Sequence, residues 1–277
     1  MSPKKVAFQG ERGSFSEVAA KELVGNDIIP IHCETFEAVF ELVESRRAIL
    51  GVIPIENSLI GSIHKNYDLL LEHDLKVVGE TQARVQHSLI ALPNASLSRI
   101  KQVYSHPAAL DQCRDFFKKH PRLEPVTYYD TAGAVKMLAE KKLDNTAAIA
   151  RPYAAEIYKM KIMKKSIEDE KSNYTRFLLL GRTQPGFQGR AKTSIVFSMK
   201  NQPGVLFKAL SVFALRDIDL TKIESRPVRK KAWQYNFYVD FAGSIKEQHV
   251  KKALDHLSEI THFIRILGSY PMRVVRD

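Results

Sequence analysis

Residues 193–227 read TSIVFSMKNQPGVLFKALSVFALRDIDLTKIESRP, and the apolar period changes twice inside them. Over 193–199, Ile195 and Phe197 share one face, as in a strand. From 204 to 216, Leu206, Leu210, Phe213 and Ala214 line one side of a helix. Residues 220–228 are strand-like again. Further along, Tyr235, Phe237, Val239 and Phe241 alternate over 234–241, Val250, Leu254 and Leu257 mark an amphipathic helix over 246–260, and 264–270 makes a last strand. The order β-α-β-β-α-β predicts a ferredoxin-like fold for this part of the chain.

Upstream, residues 181–189 hold Gly181, Gly186, Gly189 and Pro185 and lose apolar periodicity, which marks a boundary. The chain divides there into residues 1–183 and 191–277. In the first part, strands are predicted at 5–8, 49–55, 77–80, 86–92, 126–129, 147–150 and 176–180. Helices are predicted at 14–23, 63–72, 107–120, 131–140 and 153–158. Alternation of this kind is an α/β pattern, and the apolar run 49–55 suits a strand buried on both faces.

At 277 residues with 44% apolar side chains, the chain can bury the cores of two domains. It shows no secretory leader behind Lys4 and Lys5 and no run long enough for a membrane span. Cys33 and Cys113 read as reduced thiols, so a cytoplasmic location is expected. No metal-ligand spacing occurs, and no cofactor is expected. The net charge of +11 sits mostly in 191–277, scattered among acids. Its densest cluster, residues 226–231, reads as a turn, so no nucleic-acid partner is expected.

Small polar residues gather where strands end, the usual place for ligands in open α/β sheets. Gly10-Glu11-Arg12-Gly13-Ser14-Phe15-Ser16-Glu17 joins a strand to a helix. It suits an anion at free N–H groups, or a capping box of Ser14 with Glu17. Glu56-Asn57-Ser58 follows the apolar strand, where Asn57 offers a donor and an acceptor to a substrate or closes an Asx turn. In Tyr104-Ser105-His106-Pro107, Ser105 is placed to cap the next helix, and Gln112 lies within that helix facing a cleft. Asp130-Thr131 reads as a helix cap. In Asn173-Tyr174-Thr175-Arg176-Phe177, alternation puts Thr175 and Phe177 on one face and Arg176 on the other, as a support or salt-bridge residue. Gly204-Val205-Leu206 starts a helix with free N–H groups, and Glu224-Ser225-Arg226-Pro227 ends a strand.

In their order and spacing, Gly10-x-x-Gly13-Ser14-Phe15-Ser16, Ile55-Glu56-Asn57-Ser58-x-x-Gly61-Ser62-Ile63, Ser105-His106-Pro107, Gln112-Cys113, Asn173-x-Thr175-Arg176-Phe177 and Glu224-Ser225-Arg226-Pro227 resemble the prephenate dehydratase family over nearly the whole chain. Plant-type arogenate dehydratases share the pattern. Ala108, Ser88 and Val205 stand where the family often has Gln, Cys and Ala. The resemblance implies a two-lobed, periplasmic-binding-protein-like catalytic domain followed by a regulatory ACT domain. It places Thr175, Asn57, Gln112 and Ser105 at the reaction, with Ser14, Ser58, Arg176 and Phe177 around the substrate. It makes Gly204, Val205, Leu206, Glu224, Ser225 and Arg226 a phenylalanine site between ACT domains, in a homodimer or homotetramer. Exposed sheet edges and the aromatic run 235–241 are expected to favour that pairing.

The reaction so implied is loss of CO2 and water from prephenate to give phenylpyruvate. The departing hydroxyl takes the electrons released by decarboxylation, so no cofactor sink is required. Thr175 is expected to donate a hydrogen bond to that hydroxyl, because a Thr hydroxyl is too weak an acid for easy proton transfer. The rival class is a non-catalytic two-lobed small-anion sensor joined to an amino-acid sensor, which would share the fold.

Overall fold

A computed structural model of the chain describes residues 3–228 and 233–273. The first lobe is built from β1 (Lys4–Gln9), α1 (Phe15–Val24), β2 (Ile28–Cys33), α2 (Phe36–Glu44), β3 (Leu50–Asn57), the short β4 (Gly61–Ser62), α3 (His64–Glu72) and β5 (Lys76–Arg84). The chain then crosses to a second lobe of β6 (Ser88–Ala91), β7 (Gln102–Ser105), α4 (Pro107–Asp111), α5 (Arg114–Lys119), β8 (Glu124–Thr127), α6 (Thr131–Lys141), β9 (Thr146–Ala150), α7 (Pro152–Ile157) and β10 (Lys161–Lys164). It returns as β11 (Tyr174–Gly181), which lies antiparallel between β3 and β5 in the first sheet, ordered β2-β1-β3-β11-β5. The second sheet runs β10-β6-β9-β7-β8. Two α/β lobes joined by two crossings are the periplasmic-binding-protein-like architecture that the resemblance implies.

The third sheet comes from β12 (Ala191–Ser198), α8 (Val205–Ala214), β13 (Leu220–Pro227), β14 (Tyr235–Ala242), α9 (Gln248–Ile260) and β15 (Phe263–Pro271), ordered β13-β14-β12-β15. This is the ferredoxin-like order read from the sequence. The aromatic run 235–241 is not an edge: β14 is paired on both sides, and the sheet ends in β13 and β15. The turn expected within 226–231 falls in part on residues 229–231, outside the described residues.

The helix expected over 107–120 is two helices. α4 stops at Gln112, whose carbonyl accepts from Asp169 N, and the Asp169 carboxylate caps the start of α5 by accepting from Arg114 N and Asp115 N at 2.9 and 3.0 Å. A side chain from the returning crossover thus breaks a segment whose apolar period alone is continuous. β2, α2, β7 and β10 were not anticipated. β2 is a half-exposed edge strand carrying Pro30, and among the described residues β10 pairs only with β6.

β3 is the centre of the first lobe, with Val52, Ile53 and Ile55 buried between helices on either side of the sheet. Its pairing with β11 slips by one residue: Arg176 opposes Glu56, yet Phe177 opposes Pro54. Pro54 has no N–H to give the ladder, and a bulge at this point accommodates it. Beyond the bulge, Thr175 stands abreast of Asn57.

One face of the third sheet packs on α8 and α9. The other is fused to the first lobe: Val196, Tyr238, Leu267 and Tyr270 share an apolar cluster with Tyr67, Leu69, Leu70 and Val77. Tyr238 donates to the Tyr67 carbonyl at 2.9 Å, and the Arg265 guanidinium holds the carbonyls of Leu71 and His73 at the end of α3. Charges cross the same seam. Arg176, 6% exposed, reaches Glu80 at 2.8 Å, Asp240 at 2.6 Å and the Tyr270 hydroxyl at 3.1 Å, while Lys192 pairs with Glu80 at 2.7 Å. Burial opposes the Arg176 charge, but nearby negative groups led by Asp240 outweigh it and hold the pKa well above the ordinary value.

Two stability predictions follow from this seam. A Cβ on Gly268 would lie 2.0 Å from the Val77 carbonyl oxygen, so Gly268→Ala forces β15 away from β5. It should cost about 1–3 kcal/mol in urea unfolding, the usual range for overpacking, and a neutral variant would contradict the close docking. Arg176→Ala strands buried carboxylates and should cost about 3–5 kcal/mol. A loss below about 1 kcal/mol, typical of a surface pair, would show that the cluster does not hold the domains together.

Candidate active site

Asn57, Asn173 and Thr175 form one hydrogen-bonded group. Asn57 Nδ2 donates towards Asn173 Oδ1 at 2.6 Å and Thr175 Oγ1 at 3.0 Å, with the Tyr174 carbonyl at 3.2 Å. Its Oδ1 accepts from Leu59 N and Ile60 N, both at 3.0 Å, closing the Asx turn after β3. Asn57 is therefore spent within the protein. Its amide donates to the Thr175 oxygen, leaving the Thr175 O–H hydrogen to point elsewhere. Ser58 is exposed and bridges the same two segments, with Oγ accepting from Tyr174 N at 2.9 Å and donating to the Ser172 carbonyl at 3.2 Å.

The second lobe contributes Gln112, half-buried at the end of α4, whose Oε1 lies 2.8 Å from His87 Nε2. Ser105 does not cap α4; His106 does, through Nδ1, which accepts from Ala108 N at 3.2 Å. Ser105 is fully buried and donates to the Ile149 carbonyl at 2.6 Å, fastening β7 to β9. Phe177 likewise lies in the core, among Val6, Phe8 and Ala19, and Arg176 is engaged by the ion cluster. The structure thus sets Thr175, Asn57 and Ser58 together on the first lobe and holds Gln112 on the second lobe beside His87. It places Ser105, Arg176 and Phe177 behind those groups, as supports.

The β1–α1 loop presses on the second lobe. Gly13 has φ 86°, and a Cβ there would come within 2.9 Å of Ala154 Cα, so glycine is required for the contact. Ser14 caps α1 by accepting from Glu17 N at 3.3 Å, and the Glu17 carboxylate accepts from Gly13 N at 2.7 Å. Asp130 caps α6 at Gly133 N, as read, and burial pushes its carboxyl pKa up. Lys21 donates to the Tyr153 hydroxyl at 2.6 Å, linking the lobes.

Asn173 stands in one of the sequence motifs but not among the expected site residues, and His87, Glu168 and Arg151 escaped the sequence reading. Asn173 is fully buried with Nδ2 lacking a partner among the described residues. His87 and Glu168, from the two crossovers, are both buried, and Glu168 Oε2 accepts from His87 N at 2.9 Å. Arg151 stacks 4.7 Å over the Phe15 ring, with Nε and Nη1 unpartnered among the described residues, and burial lowers its pKa. A lone polar residue flanking an apolar strand, as in Gln86-His87-Ser88 and Ala150-Arg151, was the available signal.

In the C-terminal domain, β12 and β13 both run antiparallel to β14, so the loop at Gly204 and the strand end at Ser225 share one end of the sheet. α8 begins at Gly204, φ 77°, with no side-chain cap, and Val205 N already donates to the Gln202 carbonyl. Along β13 the side chains alternate. Ser225 is exposed, whereas Glu224 turns inward to Ser62 and to His64 at 3.3 Å, and Arg226 to Asp68 at 3.0 Å. Lys222, on the same inward face, pairs with Glu56, the neighbour of Asn57.

Residues 6–185 match the family model described as prephenate dehydratase, and residues 193–258 match the ACT domain. The arogenate dehydratase/prephenate dehydratase 2 of Arabidopsis thaliana, described as chloroplastic, is 48% identical over 280 residues, covering 97% of this chain and 73% of that relative. A prephenate dehydratase from Arthrobacter aurescens, solved in complex with L-Phe, superposes with TM-score 0.88 at 31% identity, covering 97% of this chain and 90% of that one. GqqA, described as a novel type of quorum quenching acylase, superposes with TM-score 0.89 at 32% identity over 98% of both chains. With the family model spanning both lobes, this chain belongs to the prephenate dehydratase family and carries an ACT domain after its catalytic lobes.

Proposed function

We propose that the chain is a dehydratase that converts prephenate to phenylpyruvate and answers to phenylalanine through its ACT domain. In the reaction the bond to the ring carboxylate breaks and its electron pair enters the ring. The C–O bond across the ring breaks with its own pair, and the departing hydroxide takes up a proton to become water. Aromaticity drives both events, and the protein must ease the leaving oxygen. The observation that carries this reading is the Asn57–Thr175 bond: it takes up one lone pair of the Thr175 oxygen and leaves its O–H as a donor. Gln112 supplies an amide from the opposite lobe. Arogenate, with an amine in place of the ketone, undergoes the same bond changes and yields phenylalanine. The Arabidopsis relative, named for both substrates, favours testing it alongside prephenate.

Purified protein given each substrate in turn should form phenylpyruvate from prephenate; formation of product from arogenate alone would move the assignment to arogenate dehydratase. Thr175→Ala should lower kcat on the order of 100-fold, with a smaller change in KM, as expected for one lost transition-state donor. A kcat close to wild type would remove Thr175 from the mechanism.

Phenylalanine has an anion, a cation and an apolar ring to satisfy. The uncapped first turn of α8 suits its carboxylate, and exposed Ser225 at the same sheet end suits its ammonium. Phe207 at 76% and Leu215 at 78% exposure on α8, with Ile223 on the free edge strand β13, favour pairing of two chains there. The buried free thiols of Cys33 and Cys113 favour a reducing compartment such as the cytoplasm. Titration calorimetry should show phenylalanine binding to the intact protein, a coupling of about 1–3 kcal/mol to turnover being ordinary, and Ser225→Ala should weaken that binding. Cutting the chain at the linker is a poorer test, because it bares the apolar face at Tyr67 and Val77. An intact protein that binds no phenylalanine overturns the regulatory reading.

A further inference from the structure

His87 and Gln112 come from different parts of the second lobe and meet at 2.8 Å, His87 Nε2 to Gln112 Oε1. His87 is 2% exposed, on the outbound crossover just before β6. Its main chain is held by the return crossover: Ile167 N donates to its carbonyl at 3.0 Å, and its own N–H donates to Glu168 Oε2 at 2.9 Å. The Phe15 ring stands against the imidazole at 6.0 Å, edge to face. The ring is therefore fixed on its backbone side and on one flank. Gln112 is fixed twice, by its carbonyl to Asp169 N at 2.8 Å and by its side-chain oxygen to His87. Its amide nitrogen makes no hydrogen bond among the described residues.

Two arrangements of protons would fit the contact. In one, His87 Nε2–H donates to the Gln112 oxygen and Nδ1 is a bare lone pair. In the other, the Gln112 amide donates to Nε2 and the ring proton sits on Nδ1. Nδ1 is buried and has no partner among the described residues. An orphaned buried N–H costs more than an idle lone pair, so the first arrangement wins. Burial also pushes the His87 pKa down, against the smaller effects of Gln112 and Glu168, which keeps the ring neutral.

We propose that His87 is a positioning residue for the dehydration, whose Nε2–H anchors the Gln112 carbonyl oxygen and so turns the Gln112 NH2 towards the cleft as a donor to the substrate's oxygens. The assignment rests on the dehydratase reading above. A free glutamine would present its amide either way round; an anchored one presents two N–H groups, the polarity that a dianion and a departing hydroxide require.

The test uses the intact chain and the variants His87→Leu, His87→Gln, Gln112→Leu and the double variant. His87→Leu should lower kcat/KM about 10- to 100-fold, the cost of a misplaced catalytic group. His87→Gln, which can place an N–H where Nε2 lay, should recover most of that loss. In a Gln112→Leu background, His87→Leu should add less than about threefold, since residues that act through one another are not additive. Nitrogen-15 NMR of the wild-type imidazole should show a proton on Nε2 and none on Nδ1. An unaffected His87→Leu, losses that multiply in the double variant, or a proton on Nδ1 would each overturn the proposal while an active wild type leaves the dehydratase reading standing. An inactive wild type overturns that reading instead, and the NMR tautomer still judges the His87–Gln112 contact.

Discussion

The guanidinium of Arg176 is the point on which the two functional halves of the molecule meet. It projects from β11 between Thr175, which is partly exposed and bonded to Asn57, and Phe177, which is locked in the lobe core. Strand alternation sends it to the opposite face, where it is closed in by Glu80 from its own lobe and by Asp240 and Tyr270 from the ACT sheet. A buried cation is tolerable only when its charge is matched and its donors are satisfied. The position of β11, and with it the Thr175 hydroxyl, is thus tied to groups that the regulatory domain supplies.

β13 repeats this arrangement with opposite faces of a single strand. Lys222, Glu224 and Arg226 point inward to Glu56, Ser62 and Asp68, while Ser225 points outward at the sheet end shared with Gly204. Glu56 adjoins Asn57, and Asn57 holds Thr175. A displacement of β13 would therefore disturb an ion pair on the residue next to Asn57.

Much of the fold was legible because period and polarity agree with tertiary position. The ferredoxin-like order of the ACT domain and the doubly buried β3 are of this kind. α2 carries its own signal, with Thr35 as cap and Val39, Phe40 and Val43 at helical spacing. The break between α4 and α5 was not readable, since Asp169 imposes it from more than fifty positions away. At the site, Thr175 and Asn57 stood out as polar residues at strand ends. That Asn57 spends its whole amide inside the protein depends on a register slip at Pro54, which no local pattern announces. Ser105 and Phe177 were placed near the substrate by the family resemblance, and burial turns both into the core.

The insertion of β11 between β3 and β5 also sets when the first sheet can be closed. β3 and β5 emerge early, but the strand that separates them is made only after the entire second lobe. Until then the first sheet has a gap at its centre and two unpaired edges, the kind of surface that invites wrong partners. The second lobe has no such debt, for its strands are contiguous in the chain. The first sheet is therefore completed only after the second lobe has been made, when β11 fills the place between β3 and β5.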